Sequence, residues 1–174
     1  DIGLRGAPNY ELLRMVAPDL VLTSNFYSQQ QSCLAAIAPT LSLPVHMTGR
    51  SPYLLAGEAA RTLGDAIGMP DAAEALVGRS EEMLRAARRT LPTLPERPVY
   101  IVSIGDARHV RVFGSDSLFG EVLERLGGRN AWPSTSRYSA AAPVGIEALA
   151  EEPGAVLVIV GPTPPDAERA LDEG

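Results

Sequence analysis

The chain has 174 residues, 45% of them hydrophobic, which is enough for one ordinary domain or for two small lobes. The formal net charge of -6 argues against a nucleic-acid partner, because phosphate binding requires a basic face. A single cysteine, Cys33, excludes an internal disulfide framework. The two histidines, His46 and His109, lack zinc-ligand spacing, and no run of about 18 apolar residues predicts a membrane span.

The first 70 residues alternate helical and strand patterns. Helices are predicted at residues 10–16, 28–37 and 51–68, and strands at residues 19–23 and 41–45. Ser28 is the expected cap of the second helix, which would bury Cys33 as an inert thiol. Ser51 followed by Pro52 is a good start for the third helix, which should end at Gly68. Alternating strands and helices predict an α/β lobe with a mainly parallel sheet.

A longer helical pattern extends from residue 71 to about residue 91. Asp71 and Glu74 resemble a capping box at its start, and arginines collect near its end, where they suit the helix dipole. Some 20 helical residues would span about 30 Å, which is long enough to connect two lobes. The alternative is an ordinary surface helix of a single domain.

A second α/β pattern follows three prolines. Strands are predicted at residues 99–104, 110–113 and 155–160, and helices at residues 146–150 and 166–171. Another helix, capped by Ser115 or Asp116, should run through Leu126 and end at Gly127 and Gly128.

Motifs for catalysis are missing from the sequence. It contains no G-x-S-x-G elbow, no phosphate-binding loop with its obligatory lysine, and no dinucleotide fingerprint. A polar and aromatic set remains in loops that follow predicted strands, with Arg5 after residues 2–4 and Asn25, Phe26 and Tyr27 after Thr23. Ligands of open parallel sheets bind at the carboxyl ends of strands, and Arg with Tyr suits a ligand rich in anionic oxygens. The alternatives are a surface ion pair for Arg5 and half-buried packing for Tyr27.

Several stretches resemble one family. Its first lobe is similar to DIGLRGAPNYELL and APDLVLTS, and its second lobe is similar to ARHVRVFGSDSLFGEVLERLGGRNAW and GIEALAEEPGAVLVIV. The family is that of the class III (cluster A) periplasmic solute-binding proteins. The GLR triplet, the tyrosine 22 residues after Arg5 and the NAW triplet most resemble the ferric-hydroxamate (ferrichrome-type) binders of the iron-siderophore group.

The resemblance implies an α/β fold of two three-layer αβα lobes joined by a single long helix. Residues 1–70 would form the N-terminal lobe without its start, residues 71–94 the helix between lobes, and residues 95–174 a C-terminal lobe without its end. The chain is therefore expected to be truncated at both ends.

The resemblance also implies roles for individual residues. Arg5 and Tyr27 would donate hydrogen bonds to metal-bound hydroxamate oxygens. Tyr138 matches an aromatic position of the second lobe, and Ser139 stands beside it where the ferrichrome binders carry tryptophan. Glu11 and Glu147 match the acidic residues that dock on permease arginines, although a carboxylate near a helix start is also favoured by the dipole.

The function implied is a periplasmic substrate-binding component of an iron-siderophore ABC importer, and not an enzyme. The ligand would be an iron(III)-siderophore complex, with no cofactor and no protein ligand to the metal, and the partner an inner-membrane permease dimer. The protein would be periplasmic or lipid-anchored facing the cell exterior. The alternatives are another iron chelate, haem or a corrinoid on the same scaffold and, more remotely, an α/β enzyme with an unrecognised site.

Overall fold

The structure is a computed structural model that describes residues 2–4, 6–91, 97–106, 108–135, 141, 143–165 and 167. The chain divides into two compact units. The first unit consists of Asp1–His46 and Leu55–Val77, and the second of Met47–Leu54 and Gly78–Gly174. No helix in these described ranges is both long and apolar enough to cross a membrane.

The described residues of the first unit form two small sheets. Its strands are β1 (Gly3–Leu4), β2 (Ala7–Pro8), β3 (Val21–Ser24) and β4 (Thr40–Leu43). β1 and β2 form an antiparallel hairpin, whereas β3 and β4 are parallel, as predicted, with Ser24 opposite Leu43. The helical elements after β1 and β2 are α1 (Tyr10–Val16), a 3₁₀ segment (Asn25–Gln30) and α2 (Gln31–Ala35).

Two longer helices follow, α3 (Pro52–Ala66) and α4 (Pro70–Thr90). The Ser51 hydroxyl accepts a hydrogen bond from the Leu54 amide at 3.1 Å, which confirms the predicted start of α3. Gly64 allows α3 to approach α4, because a Cβ there would lie 2.6 Å from the Cβ of Ala73. The first two turns of α4 belong to the first unit and its remaining residues, from Gly78, to the second.

The predicted capping box at the start of α4 is wrong. Helix α4 begins at Pro70, so Asp71 already lies inside its first turn. The Glu74 carboxylate instead accepts hydrogen bonds from the Arg61 guanidinium, at 2.5 Å from Nε and 3.1 Å from Nη2. A bidentate arginine partner on α3 outcompetes the backbone amide of the helix's own first turn.

Within the described residues, the second unit contains a four-stranded sheet. Its strands are β5 (Val99–Ile104), β6 (His109–Val112), β7 (Val144–Gly145) and β8 (Val156–Ile159), in the order β7-β6-β5-β8. β5 pairs with β8 in parallel and with β6 antiparallel. Tyr100, Val102 and Ile104 enter one core cluster, whereas Val99 and Ile101 pack with Leu123 of helix α5 (Leu118–Arg125) in another. A 3₁₀ segment (Ile146–Glu151) precedes β8.

Three local predictions are wrong for identifiable reasons. The cap of α5 is Ser117 and not Ser115 or Asp116, because the buried Ser117 hydroxyl accepts from the Gly120 amide and donates to the Gly114 carbonyl. Ser28 lies inside the 3₁₀ segment and does not cap α2. Cys33 is exposed, since α2 turns its neighbour Leu34 into the core instead. The helix predicted at residues 166–171 lies almost entirely outside the described residues.

Candidate ligand-binding site

Tyr27 lies directly after the carboxyl end of β3, in the 3₁₀ segment Asn25–Gln30. Its backbone is not helical, with φ -114° and ψ 30°, so it interrupts the turn that carries it. The side chain is half-buried, and its hydroxyl makes no hydrogen bond to another described residue. A phenol in this position has one donor and one acceptor available to a ligand.

Asn25 connects the start of this segment to the chain that leaves β4. Its amide Nδ2 donates to the His46 carbonyl at 2.6 Å, and its Oδ1 accepts from the Val45 amide at 3.2 Å. The Phe26 ring is stacked on the His46 ring, with centroids 6.3 Å apart and planes 9° apart. Phe26 is still 48% exposed. The two carboxyl ends of the parallel pair therefore carry polar and aromatic side chains that hold one another in place.

The β1–β2 hairpin is attached to the same segment. The Gln30 amide donates to the Gly6 carbonyl at 3.1 Å. Gly3 has φ +90°, and a Cβ on it would lie 2.8 Å from the Ala7 carbonyl oxygen, so the hairpin requires glycine there. Leu4 pairs with Ala7, and Arg5 stands between Leu4 and Gly6 in the sequence but lies outside the described residues.

The second-lobe candidates Tyr138 and Ser139 also lie outside the described residues. Their loop follows Trp132, whose backbone amide donates to the Asn130 side chain at 2.9 Å. The Trp132 ring packs against the core cluster of β5 and β6. After the loop, the Ala141 amide donates to the Val112 carbonyl at 2.8 Å. Both flanks of the loop are thus anchored at the same end of the sheet.

The two candidate docking carboxylates are exposed, and each lies near the start of a short helical element. Glu11 is in the first turn of α1, which is capped by the Asn9 side chain accepting from the Leu12 amide at 3.0 Å. A Cβ built on Gly145 would collide with the Glu147 carboxylate, so that carboxylate folds back on its own backbone. Glu11 therefore projects with fewer local constraints than Glu147.

One polar junction in the second unit is absent from the sequence predictions. The Glu121 carboxylate accepts hydrogen bonds from the Ser51 hydroxyl at 2.6 Å, the Tyr53 amide at 2.9 Å and the Arg125 guanidinium at 2.6 and 2.9 Å. Burial opposes its ionisation, but these donors outweigh burial and lower the pKa of Glu121 below its ordinary value. Only the Glu121–Arg125 pair, four residues apart on one helix, was detectable in the sequence.

A metal site in a protein requires several His, Cys, Asp or Glu side chains close together. Within the part of the chain that the structure describes, no group of three or more His, Cys, Asp or Glu side chains is placed to bind a metal ion. His109 instead contacts Asp106 across the β5–β6 turn, at 3.0 Å from Nδ1 to Oδ1. Backbone hydrogen bonding from Arg108, followed by the His109 side chain, lowers the pKa of Asp106.

Comparison with solved structures identifies the fold. The siderophore-binding protein FhuD from Vibrio cholerae, bound to Fe³⁺–Desferal, matches with a TM-score of 0.85 at 21% identity, over 98% of this chain and 65% of that one. The petrobactin-binding protein YclQ from Bacillus subtilis matches with a TM-score of 0.74 at 19% identity, over 92% of this chain and 55% of that one. These likenesses confirm the predicted α/β fold class.

Comparison of sequences identifies the family. The chain is 31% identical over 150 residues to the iron(3+)-hydroxamate-binding protein FhuD of Escherichia coli (strain K12), which covers 86% of this chain and 50% of that protein. The chain therefore spans about half the length of this curated relative. The profile of the periplasmic binding protein family matches residues 1–172, so the chain belongs to that family.

Proposed function

We propose that the protein binds ferric hydroxamate siderophores in the periplasm and delivers them to the permease dimer of an ABC importer. The observation that carries this proposal is the half-buried Tyr27 hydroxyl, which makes no hydrogen bond to another described residue and sits on a segment held at both ends. The proposal is supported by the 31% identity to a hydroxamate-binding protein of Escherichia coli.

The chemistry of recognition follows from the ligand. A siderophore that fills the coordination sphere of iron(III) leaves lone pairs on its metal-bound oxygens, and these oxygens accept hydrogen bonds. The Tyr27 phenol and the Arg5 guanidinium would donate to them, and the arginine bond would be charge-assisted. The exposed face of Phe26 would contact the apolar scaffold of the siderophore. Tyr138 and Ser139 are proposed to contribute from the second lobe.

Arg5 and Tyr27 are proposed to act on the same ligand. Gly6, the residue after Arg5, is hydrogen-bonded through its carbonyl to Gln30 at the end of the segment that carries Tyr27. The Arg5 guanidinium is proposed to reach the ligand that the phenol binds. Two donors would recognise a bidentate hydroxamate better than either donor alone.

Calorimetric titration of the protein with ferrichrome, ferric desferrioxamine and a ferric catecholate tests the cargo. Loss of one charge-assisted hydrogen bond costs about 1.5–3 kcal/mol, so Arg5→Ala should weaken hydroxamate binding roughly tenfold to hundredfold. Tyr27→Phe should weaken it by about tenfold. Arg14→Ala and Tyr10→Phe are matched controls, because both residues lie on α1 and outside the segment that carries Tyr27.

Stoichiometric hydroxamate binding that both test variants weaken and both controls leave unchanged would support the proposal. Binding of the catecholate alone would overturn the cargo assignment and keep the scaffold. Turnover of any added substrate in place of stoichiometric binding would favour the enzyme alternative.

We propose that Glu11 and Glu147 dock the loaded protein on permease arginines. Both carboxylates are exposed, and a carboxylate that meets arginine at an interface contributes to orientation and association rate. Charge reversal by Glu11→Arg or Glu147→Arg should leave siderophore affinity unchanged and reduce uptake into cells. Glu124→Arg, at an exposed position of α5, is the control. Equal loss of uptake in all three variants would contradict the docking role.

A further inference from the structure

A cavity of about 310 Å³ lies in the second unit, and no residue of the Tyr27 segment lines it. It is bounded by the first turn of α3, the second half of α4 and the end of α5. Its lining consists of Tyr53, Leu54, Glu81, Leu84, Arg85, Arg88 and Arg125. Three of these seven residues are arginines, although the whole chain has a net charge of -6.

One arginine of the cavity is held rigidly. The Arg125 guanidinium donates twice to Glu121, at 2.6 and 2.9 Å, and lies over the Tyr53 ring at 4.4 Å from its centroid. The Tyr53 hydroxyl is in turn 3.0 Å from the Ser80 hydroxyl of α4. These contacts leave Arg125 in one orientation, with part of its guanidinium exposed toward the cavity.

The other two arginines are not ion-paired within the part of the chain that the structure describes. Arg85 and Arg88 are three residues apart on one face of α4, where like charges repel. Neither makes a hydrogen bond or an ion pair with another described residue. Arg125 is already paired with Glu121, so Arg85 and Arg88 face Glu81, the one carboxylate among the lining residues. A bound anion would relieve this repulsion.

The remaining walls are apolar. Leu54 and Leu84 line the cavity together with the Tyr53 ring. The volume is at the lower limit of about 300–1,000 Å³ for small-molecule sites. A ligand of this size would place a short carbon skeleton against the leucines and its oxygens against the guanidinium groups, which match carboxylates in a bidentate geometry.

We propose that this cavity binds a small organic polycarboxylate, with Arg85 and Arg88 as the principal ligands and Arg125 as a fixed third donor. The site is independent of the proposed siderophore function. Tricarballylate is a suitable probe because it carries three carboxylates without the hydroxyl that makes citrate a strong iron chelator. Propionate, with one carboxylate, is the comparison ligand.

Calorimetric titration of the protein in metal-free buffer tests the proposal. Tricarballylate should bind saturably, and propionate at least about tenfold more weakly, since it engages fewer guanidinium groups. The double substitution R85Q/R88Q should weaken tricarballylate binding by about tenfold or more. Glutamine is a good helix former at these exposed positions, so α4 should persist.

Arg89→Gln is the matched control, because Arg89 is an exposed neighbour on the same helix and does not line the cavity. Its effect on affinity should be less than about twofold, as expected for a screened surface charge. Absence of saturable tricarballylate binding would overturn the proposal. Equal weakening by R89Q and by the double substitution would also overturn it, since it would show general attraction to a basic helix and no site.

Discussion

Strands β3 and β5 are both short strands with a parallel partner, yet their surroundings differ. β5 lies between β6 and β8, and five of its six residues are buried. β3 pairs with β4 alone among the described strands, and none of its four residues is buried. After β5 the chain makes a turn in which the Asp106 carboxylate accepts backbone and side-chain hydrogen bonds from His109. After β3 it presents Phe26 and Tyr27.

The difference in burial between β3 and β5 indicates that one strand serves mainly stability and the other mainly recognition. A strand packed on both faces and both edges contributes most to the free energy of folding, because nearly all of its apolar area is removed from water. A strand with open faces contributes less, but the loop after it can present side chains to a ligand. The second unit therefore supplies the rigid core, and the first supplies the proposed recognition segment.

The largest effect is expected from Val102→Ala at the centre of β5, where the residue is 0% exposed. The substitution removes buried methyl groups and leaves a cavity, so it should lower the free energy of unfolding by about 2–3 kcal/mol. Leu22→Ala in β3, where the side chain is 50% exposed, should cost about 1 kcal/mol or less. Urea unfolding followed by circular dichroism measures both. Equal losses in the free energy of unfolding would show that the two strands are equally well packed.

A smaller effect is expected from Glu121→Gln, which tests whether the second unit also depends on its polar junction. The glutamine amide carries no negative charge, so its hydrogen bonds from Arg125 are weaker than those of the carboxylate. The free energy of unfolding should therefore fall by about 1–2 kcal/mol near neutral pH. The pKa of Glu121 is lowered on folding from an ordinary 4.5. Its stabilisation is therefore fully present above that value and is lost as the pH falls through the lower pKa of the folded state.

The difference in stability between wild type and Glu121→Gln should accordingly shrink in acid. Urea midpoints measured from pH 7 down to pH 3 (about the range in which carboxylates titrate) provide the test. Glu124→Gln, one turn along the same helix and exposed, should leave the midpoint nearly unchanged. A difference in urea midpoint between wild type and Glu121→Gln that does not vary with pH would contradict an ionised Glu121 carboxylate.

The smallest effect on stability is expected from Tyr27→Phe. The lost hydroxyl has no partner within the described residues, so the free energy of unfolding should change by less than about 0.5 kcal/mol. The same substitution should weaken hydroxamate binding by about tenfold. Tyr27→Phe would thus affect binding more than stability, whereas Val102→Ala affects mainly stability. A marked loss of stability in Tyr27→Phe would show that the phenol serves the fold, and the contrast between β3 and β5 would fail.

The sequence was sufficient for elements whose signals are local. Helix α1 and strand β5 have the predicted bounds, and Ser51 with Pro52 begins α3, because caps and apolar periodicity act within a few residues. The position of Tyr27 after a parallel strand also followed from the pattern. The roles of Arg5, Tyr27, Tyr138, Ser139, Glu11 and Glu147 stay predictions.

The features that the sequence did not predict depend on tertiary contacts. Ser115 and Asp116 were the predicted caps of α5, but the burial of Ser117 under the preceding turn made Ser117 the cap. Glu121 finds Ser51 and Tyr53 some 70 residues away in the chain, which no periodicity encodes. Cys33 and Leu34 are adjacent, and only packing determined which of them entered the core.

Trp132 is the only tryptophan of the chain, and its ring packs against the core of the second unit. Indole emission excited selectively therefore comes from one place and one environment. A shift of the emission maximum on addition of a ligand would report a change in the surroundings of Trp132 in the second unit. Heat of binding without such a shift would indicate that the surroundings of Trp132 are unchanged. The chain thus carries an intrinsic fluorescent label for its second unit, without chemical modification.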